Sequence, residues 1–346
     1  MKKVLLVGGA GYLGSILVNE LLDRGYAVRV LDRLFFGDMG IATNKDRIEL
    51  IVSDMRDTSE EIFKDISTII NVGGFSNDPT AEFNPKANFE MNATATKLLA
   101  EASIKHGIKR YLFASSCSIY DLGVSPKSGD IVQDETTEVS PKASYALSKY
   151  TGERYLLELA NESFCPVILR MGTLFGFSPR MRYDLVVNTF VKDAISKGVI
   201  TMHYGGEMWR PLVDVHDAAR AFISLIEADE KLVHSQIFNL VYKNLRISEL
   251  ALRVQNALSL VGIPVKLHAD YAYTGVRSYR VSGEKLLRTT DFQPIISVED
   301  SVSDMVDKLK DPKYCDYEHP RYYNIKWVKL LDEINQILNY TGRLFD

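Results

Sequence analysis

Residues 4–14 read Val4-Leu5-Leu6-Val7-Gly8-Gly9-Ala10-Gly11-Tyr12-Leu13-Gly14. Four apolar residues make a short buried strand, and the run then stops at a glycine cluster. Beyond it, Leu13–Arg24 places Ile16, Leu17, Leu21 and Leu22 at helical spacing, with Gly25 positioned to cap the end. Gly9, Gly11 and Gly14 satisfy GxGxxG, while Gly8, Gly11 and Gly14 satisfy GxxGxxG. Glycines between a strand and a helix permit a tight turn, let the backbone approach a pyrophosphate, and bring helix and strand close. The free N–H groups of the helix N-terminus then face the anion. This predicts a dinucleotide-binding unit at the start of the chain.

The same rhythm runs outward from that unit. Ala27–Leu31, Ile48–Val52, Thr68–Val72, Tyr111–Ala114 and Val167–Leu169 read as strands, and Asn88–His106 and Tyr145–Glu158 as helices, the first ended by Gly107. Alternating strands and helices predict an α/β chain built on a Rossmann-type, doubly wound parallel sheet. After Arg170 the pattern changes. Gly172–Tyr183 reads as a loop, Leu185–Lys197, His216–Glu227 and Ile247–Leu260 as helices, Ile237–Val241 as a strand, and Trp327–Leu338 as an amphipathic helix on the surface. A chain of 346 residues suits one nucleotide-binding domain with a smaller partner. We expect the Rossmann domain at residues 1–171, with a return segment at about 212–240. A smaller C-terminal α/β substrate domain is expected at 172–211 and 241–346.

Bulk properties narrow the function. A formal charge of −4 lacks the basic surface of a nucleic-acid binder. Cys117, Cys165 and Cys315 form no CxxC pair, as in a reducing compartment. The first apolar run is too short for a signal peptide, and none approaches the ~18–20 residues of a membrane span. A cytoplasmic protein with no membrane or nucleic-acid partner is expected. His203, His216 and His234 show no metal-ligand spacing, so no metal is expected.

Two further features carry chemistry. Asp32 ends the second strand, near the ~20-residue spacing of an acid that binds the adenosine ribose hydroxyls, and its charge would repel a 2′-phosphate. NAD is therefore the expected cofactor, and Arg33 beside it reads as a surface arginine. Asp54-Met55 follows the third strand, where a side chain could meet the adenine. Tyr145-Ala-Leu-Ser-Lys149 puts a phenol and an ammonium on one helical face. The ammonium should lower the phenol's pKa from ~10, suiting it to exchange a proton with a hydroxyl while hydride moves to or from a nicotinamide. Ser116, at the end of the fifth strand, can hydrogen-bond the same oxygen.

Taken together, VGGAGYLG, LDRL, SDM, FASSCSIY, SYALSKYTGE, ILRMGTLFG, WRPLVDVHDAARAF and VRSYRVSGEKL resemble the extended short-chain dehydrogenase/reductases, in particular the NAD-dependent epimerase/dehydratase family acting on nucleotide sugars. The likeness spans residues 4 to about 286. It implies Gly8, Gly11, Tyr12, Leu13 and Gly14 at the pyrophosphate, Asp32 at the ribose, and Asp54 and Met55 at the adenine. It further implies Gly73, Gly74, Phe75 and Asn92 along the cofactor, and Ser116, Tyr145 and Lys149 as the catalytic triad. Thr173, Asn188, Arg210 and Arg277 fall where the family holds its sugar diphosphate, a role that suits the planar fork of arginine. Two departures stand out: Asn71-Val72-Gly73-Gly74 replaces the usual HLAA, and Thr173 replaces an asparagine.

The resemblance implies a nucleotide-sugar 4-epimerase, with a 4-dehydrogenase or 4-ketoreductase as the alternative and a non-catalytic NAD(H) sensor as another. It also implies a homodimer through the helices Asn88–His106 and Tyr145–Glu158. The family's dehydratases carry an Asp–Glu pair directly after the catalytic Ser/Thr, and here Cys117 and Ser118 stand there. No 4,6-dehydration is expected. Cys117, by strand alternation, should point away from Ser118.

Overall fold

The computed structural model describes residues 2–121, 131–272 and 277–342. Val276, which opens the VRSYRVSGEKL match, and the last four residues of the expected substrate domain lie outside them. Strand β1 (Lys3–Val7) leads through the glycine turn into helix α1 (Tyr12–Asp23); β2 (Ala27–Asp32), β3 (Glu49–Val52), β4 (Thr68–Asn71) and β5 (Arg110–Ser116) follow. With Cys165–Met171 and Ile237–Leu240 they form one seven-stranded sheet, in the order Ile237–Leu240, Cys165–Met171, β5, β4, β1, β2, β3. Every pairing in it is parallel.

Both faces of the sheet are covered, which is why its strands read as unbroken apolar runs. Alternation along β1 divides the core. Val4 and Leu6 pack toward α1 and the helix Val215–Glu227; Leu5 and Val7 pack toward the helices Ala95–Lys105 and Ser144–Leu159. The strand order reverses between β1 and β4. The crevice outside their carboxyl ends is where such sheets bind ligands.

Smaller sheets follow the break at Arg170. Thr173–Phe175 pairs parallel with Trp209–Asp214, which pairs antiparallel with Lys243–Arg246; Val199–His203 pairs with Lys266–Asp270. The segment 172–183, expected as a loop, thus begins with a strand too short to show a period. Trp209–Asp214 belongs to the smaller sheet, so a return segment starting at 212 would cut through this strand; the helix Val215–Glu227 and strand Ile237–Leu240 do return to the large one. The long helix expected at 88–106 contains a π-helical turn, Glu90–Thr94, between Pro85–Phe89 and Ala95–Lys105. The terminal helix, Asn324–Thr341, lies across the mouth of the crevice: Asn324, Val328, Leu331 and Leu338 line a hollow with Phe35, Phe36 and Phe75. Among the described residues no helix is long and apolar enough to cross a membrane, and no cluster of metal-ligating side chains occurs.

Candidate active site

The glycine turn forms the floor of the crevice. Gly8 sits at φ +84°, in the left-handed region that favours glycine, and a Cβ there would come within 2.8 Å of Gly73. A Cβ on Gly14 would run into the Gly8 carbonyl oxygen. Gly8, Gly11, Gly14, Gly73, Gly74, Phe75, Tyr145 and Lys149 line one continuous cleft, also bordered by Tyr12 and Leu13. The Tyr12 hydroxyl is turned out of it, donating to the Gly176 carbonyl at 2.6 Å. The N-terminus of α1 carries no side-chain cap and no acidic residue in its first turn, which leaves its N–H groups for an anion. Asp32 and Met55 line the adjoining hollow. Asp32 accepts the Ala10 N–H at 3.0 Å and the Leu34 N–H at 2.8 Å, while burial raises its pKa. A side-chain-free cradle, an open helix N-terminus and a carboxylate at the end of β2 fit a dinucleotide.

Two residues expected along the cofactor stand elsewhere. Asp54 does not line the cleft. Arg56 bonds both of its carboxylate oxygens at 2.8 Å and Arg33 adds a bond at 2.7 Å, and hydrogen bonding to Arg56 first of all lowers its pKa to about 2. Arg33, read as a surface arginine, is half-exposed and also pairs with Asp54. Asn92 is fully buried in the π-helical turn. Its Nδ2 lies 3.1 Å from the Phe75 carbonyl and 3.1 Å from the Ser148 hydroxyl, so it props the Gly74–Phe75 segment from behind.

The triad is brought together from two elements. Ser116 ends β5; Tyr145 and Lys149 sit on the helix Ser144–Leu159, with the Ser116 hydroxyl close enough to the Tyr145 phenol to counter part of its rise in pKa. The expected lowering of that phenol is not found. Burial dominates and pushes it up to about 12, with Asp78 adding to the rise. Lys149 turns its Nζ to the Ala114 carbonyl at 3.0 Å and lies over the Phe113 ring; burial brings it down to about 8. The tyrosine is therefore held as a neutral acid, beside an amine that titrates near neutral pH.

Tyr145 also lines a second cleft, which holds Ser116, Ser118, Thr173, Arg210 and Arg277. Arg210 is half-buried, donates to the carbonyls of Trp209 and Arg277, and has no carboxylate in ion-pair distance among the described residues. Arg277 pairs with Asp78. Asn188, expected here, is absent from the cleft. It is wholly buried, its Oδ1 accepting the Gly176 N–H at 2.9 Å and its Nδ2 donating to the Arg182 carbonyl at 2.9 Å, and so clamps the loop between them. Cys117 does point away from the cleft, its thiol reaching the Arg170 carbonyl, while Ser118 faces in. The cause is a 3₁₀ turn that begins at Cys117 and not strand alternation. Sequence reasoning missed Phe36, Arg180, Arg182 and Asn324, all of which line the cofactor cleft. Of these only the Arg180-Met181-Arg182 cluster carried a visible signal.

Comparison with known proteins agrees with this geometry. The chain is similar to the putative UDP-glucose 4-epimerase of Methanocaldococcus jannaschii, 29% identical over 237 residues that cover 67% of this chain and 75% of that one. It is 24% identical over 322 residues to the UDP-N-acetyl-alpha-D-glucosaminuronate decarboxylase of Bacillus cytotoxicus, covering 90% and 98%. In fold it resembles the UDP-glucose 4-epimerase of Thermotoga maritima solved with UDP-glucose, with a TM-score of 0.76 and 23% identity over 89% of this chain and 98% of the other. The family model for the NAD dependent epimerase/dehydratase family matches residues 4–240, the span that builds the glycine floor, the triad and the large sheet, and the chain belongs to that family.

Proposed function

We propose that the protein is a nucleotide-sugar 4-epimerase. The carrying observation is that Tyr145 lines both clefts with Ser116 on the sugar side, and that among the described residues no free carboxyl group lines that side. The carboxylates that do line the sugar-side cleft, Asp78 and Asp184, are tied in ion pairs with Arg277 and Arg182. Position 118, which faces the cleft, is a serine, a poor acid or base near neutral pH. Elimination across C5–C6 would find neither of its groups among the described residues, whereas oxidation and reduction at C4 needs one proton carrier.

Bound NAD would supply the hydride chemistry. Tyr145, as a phenolate stabilised by the charge of Lys149, would take the proton of the 4-hydroxyl at its Oη in the oxidative half and return it in the reductive half, while Ser116 hydrogen-bonds the same substrate oxygen. Arg210 and Arg277 hold the diphosphate, and Thr173 faces the sugar. The cofactor side is held by Gly8, Gly11, Gly14, Asp32, Met55 and Gly73–Phe75. Two copies of the chain associate through the helices Ala95–Lys105 and Ser144–Leu159, and light scattering at micromolar concentration should give a dimer.

The test is a panel of UDP- and dTDP-hexoses and hexuronates, followed by product analysis and absorbance at the NADH band. The expected result is interconversion of C4 epimers with no net NADH. Stoichiometric NADH would make it a 4-dehydrogenase instead, and a nucleotide pentose would make it a decarboxylase, as the Bacillus cytotoxicus relative is named. A 6-deoxy product, or deuterium at C5 from deuterated water, would overturn the acid–base argument.

A further inference from the structure

Arg180 is a buried cation without an anion. It lies in the segment between the strand Thr173–Phe175 and the helix Val186–Lys197, and is 3% exposed. Its Nη2 donates to the Asn324 Oδ1 at 2.7 Å, and its guanidinium stacks 3.7 Å from the Phe36 ring centroid. The Nε is buried with no hydrogen-bond partner, and no carboxylate among the described residues lies within ion-pair distance. Its neighbour Arg182 differs in this respect, being paired with Asp184. Burial, and then repulsion from Arg182, pull the Arg180 pKa down to about 9, which still leaves it charged at neutral pH.

Burying such a group without compensation is costly, so the charge calls for an anion. The side chain lines the same cleft as Gly8, Gly11 and Gly14 and the uncapped N-terminus of the twelve-residue α1. Two anion-attracting devices thus converge on one place: the backbone N–H groups of a helix start and an arginine fork with a free donor. Asp32, close enough to feel Arg180, already spends its oxygens on the Ala10 and Leu34 N–H groups.

We infer that Arg180 is the side-chain cation that binds the diphosphate bridge of the dinucleotide, and that Phe36 and Asn324 are positioning residues that hold its fork over the glycine floor. Asn324 is the first residue of the terminal helix and lies outside the residues that the family model matches. It is itself fixed, its Nδ2 donating to the Ser76 hydroxyl at 2.8 Å and its N–H to the Asp184 carboxylate at 3.1 Å. A segment beyond the residues that the family model matches therefore sets how tightly the cofactor is kept. The inference depends on NAD binding and is independent of which reaction follows.

The test is calorimetry of the full-length protein, stripped of cofactor, against NAD, ADP-ribose and adenosine, the last lacking the diphosphate. Arg180→Gln should weaken NAD and ADP-ribose together by at least about tenfold and leave adenosine unchanged. Arg180→Lys, which keeps the charge but loses the fork, should recover part of the loss. Asn324→Ala should weaken NAD and ADP-ribose a few-fold, again sparing adenosine. This variant carries the comparison if Arg180→Gln does not fold. Equal losses for adenosine would show that these residues only shape the pocket, and unchanged NAD affinity would remove Arg180 from the diphosphate; either result overturns the inference.

Discussion

The floor and the roof of the cofactor cleft are built on opposite principles. The floor is backbone: Gly8, Gly11 and Gly14 sit within seven residues of one another, on a strand and helix adjacent in sequence. The roof is side chain: Phe36, Arg180 and Asn324 come from three distant segments, and the Trp327 indole reaches the Phe35 carbonyl across 292 positions. A backbone floor has no room for added atoms and fails abruptly. A side-chain roof is a set of separate contacts and should fail by degrees.

The largest effect is expected where floor and roof meet the substrate. Tyr145→Phe should lower turnover by ~10²–10⁴-fold while NAD remains bound, because the phenol acts on the sugar. Near-full activity would remove Tyr145 from the proton path. Next, Gly14→Ala tests the floor: the new Cβ meets the Gly8 carbonyl, an overpacking that costs ~1–3 kcal/mol in denaturant unfolding, with loss of NAD binding. An Ala variant as stable as the parent would show the turn to be adaptable.

Asp32 offers a smaller test on the floor side. The parent should prefer NAD to NADP by at least about tenfold, ~1.4 kcal/mol, and Asp32→Asn should narrow that gap in measured dissociation constants. Equal affinity in the parent would exclude Asp32 from the ribose.

The smallest effect is one of stability. Lys149 is a buried ammonium held by one carbonyl and the Phe113 ring, and Lys149→Met should raise stability by ~0.5–2 kcal/mol. The pH dependence gives the sign. The lysine titrates near 8 when folded and at 10.5 in its ordinary state, so between these values the unfolded chain holds the extra proton and parent stability should rise with pH. The methionine variant should lack that rise in urea titrations at pH 8 and pH 10.

The same contrast explains what could be read from sequence. The floor was legible because short-range rules govern it: a strand, three spaced glycines, a helix, and an acid at the end of the next strand. Tyr145 and Lys149 were legible because one helical turn joins them. Asn188 was expected in the cleft but is held by partners far along the chain, Tyr12 among them, while Asp54 is taken up by Arg56 two residues on and by Arg33 from the end of β2. Arg180 carried a compositional hint, but Phe36 and Asn324 carried none, since nothing local marks a residue that matters only through tertiary contact. The strand Thr173–Phe175 was missed because three residues are too few to show alternation.

The π-helical turn at Glu90–Thr94 has a consequence for how this chain can change over generations. A π turn is one residue wider than an α turn, so it behaves as a single-residue insertion retained inside a helix. Deleting one codon there would let the helix close into regular α geometry, at no cost in backbone hydrogen bonds. Because the wider turn absorbs the extra residue locally, the flanking turns keep their faces, and the side chains displaced are those within Glu90–Thr94 itself. Asn92 lies within that turn, so its bonds to Phe75 and Ser148 would be lost while Leu99 and Ala100 stay in the core. Substitutions in this stretch should therefore be absorbed one at a time, while lineages that lose a residue from it should lose the Gly74–Phe75 wall of the cofactor site in the same step.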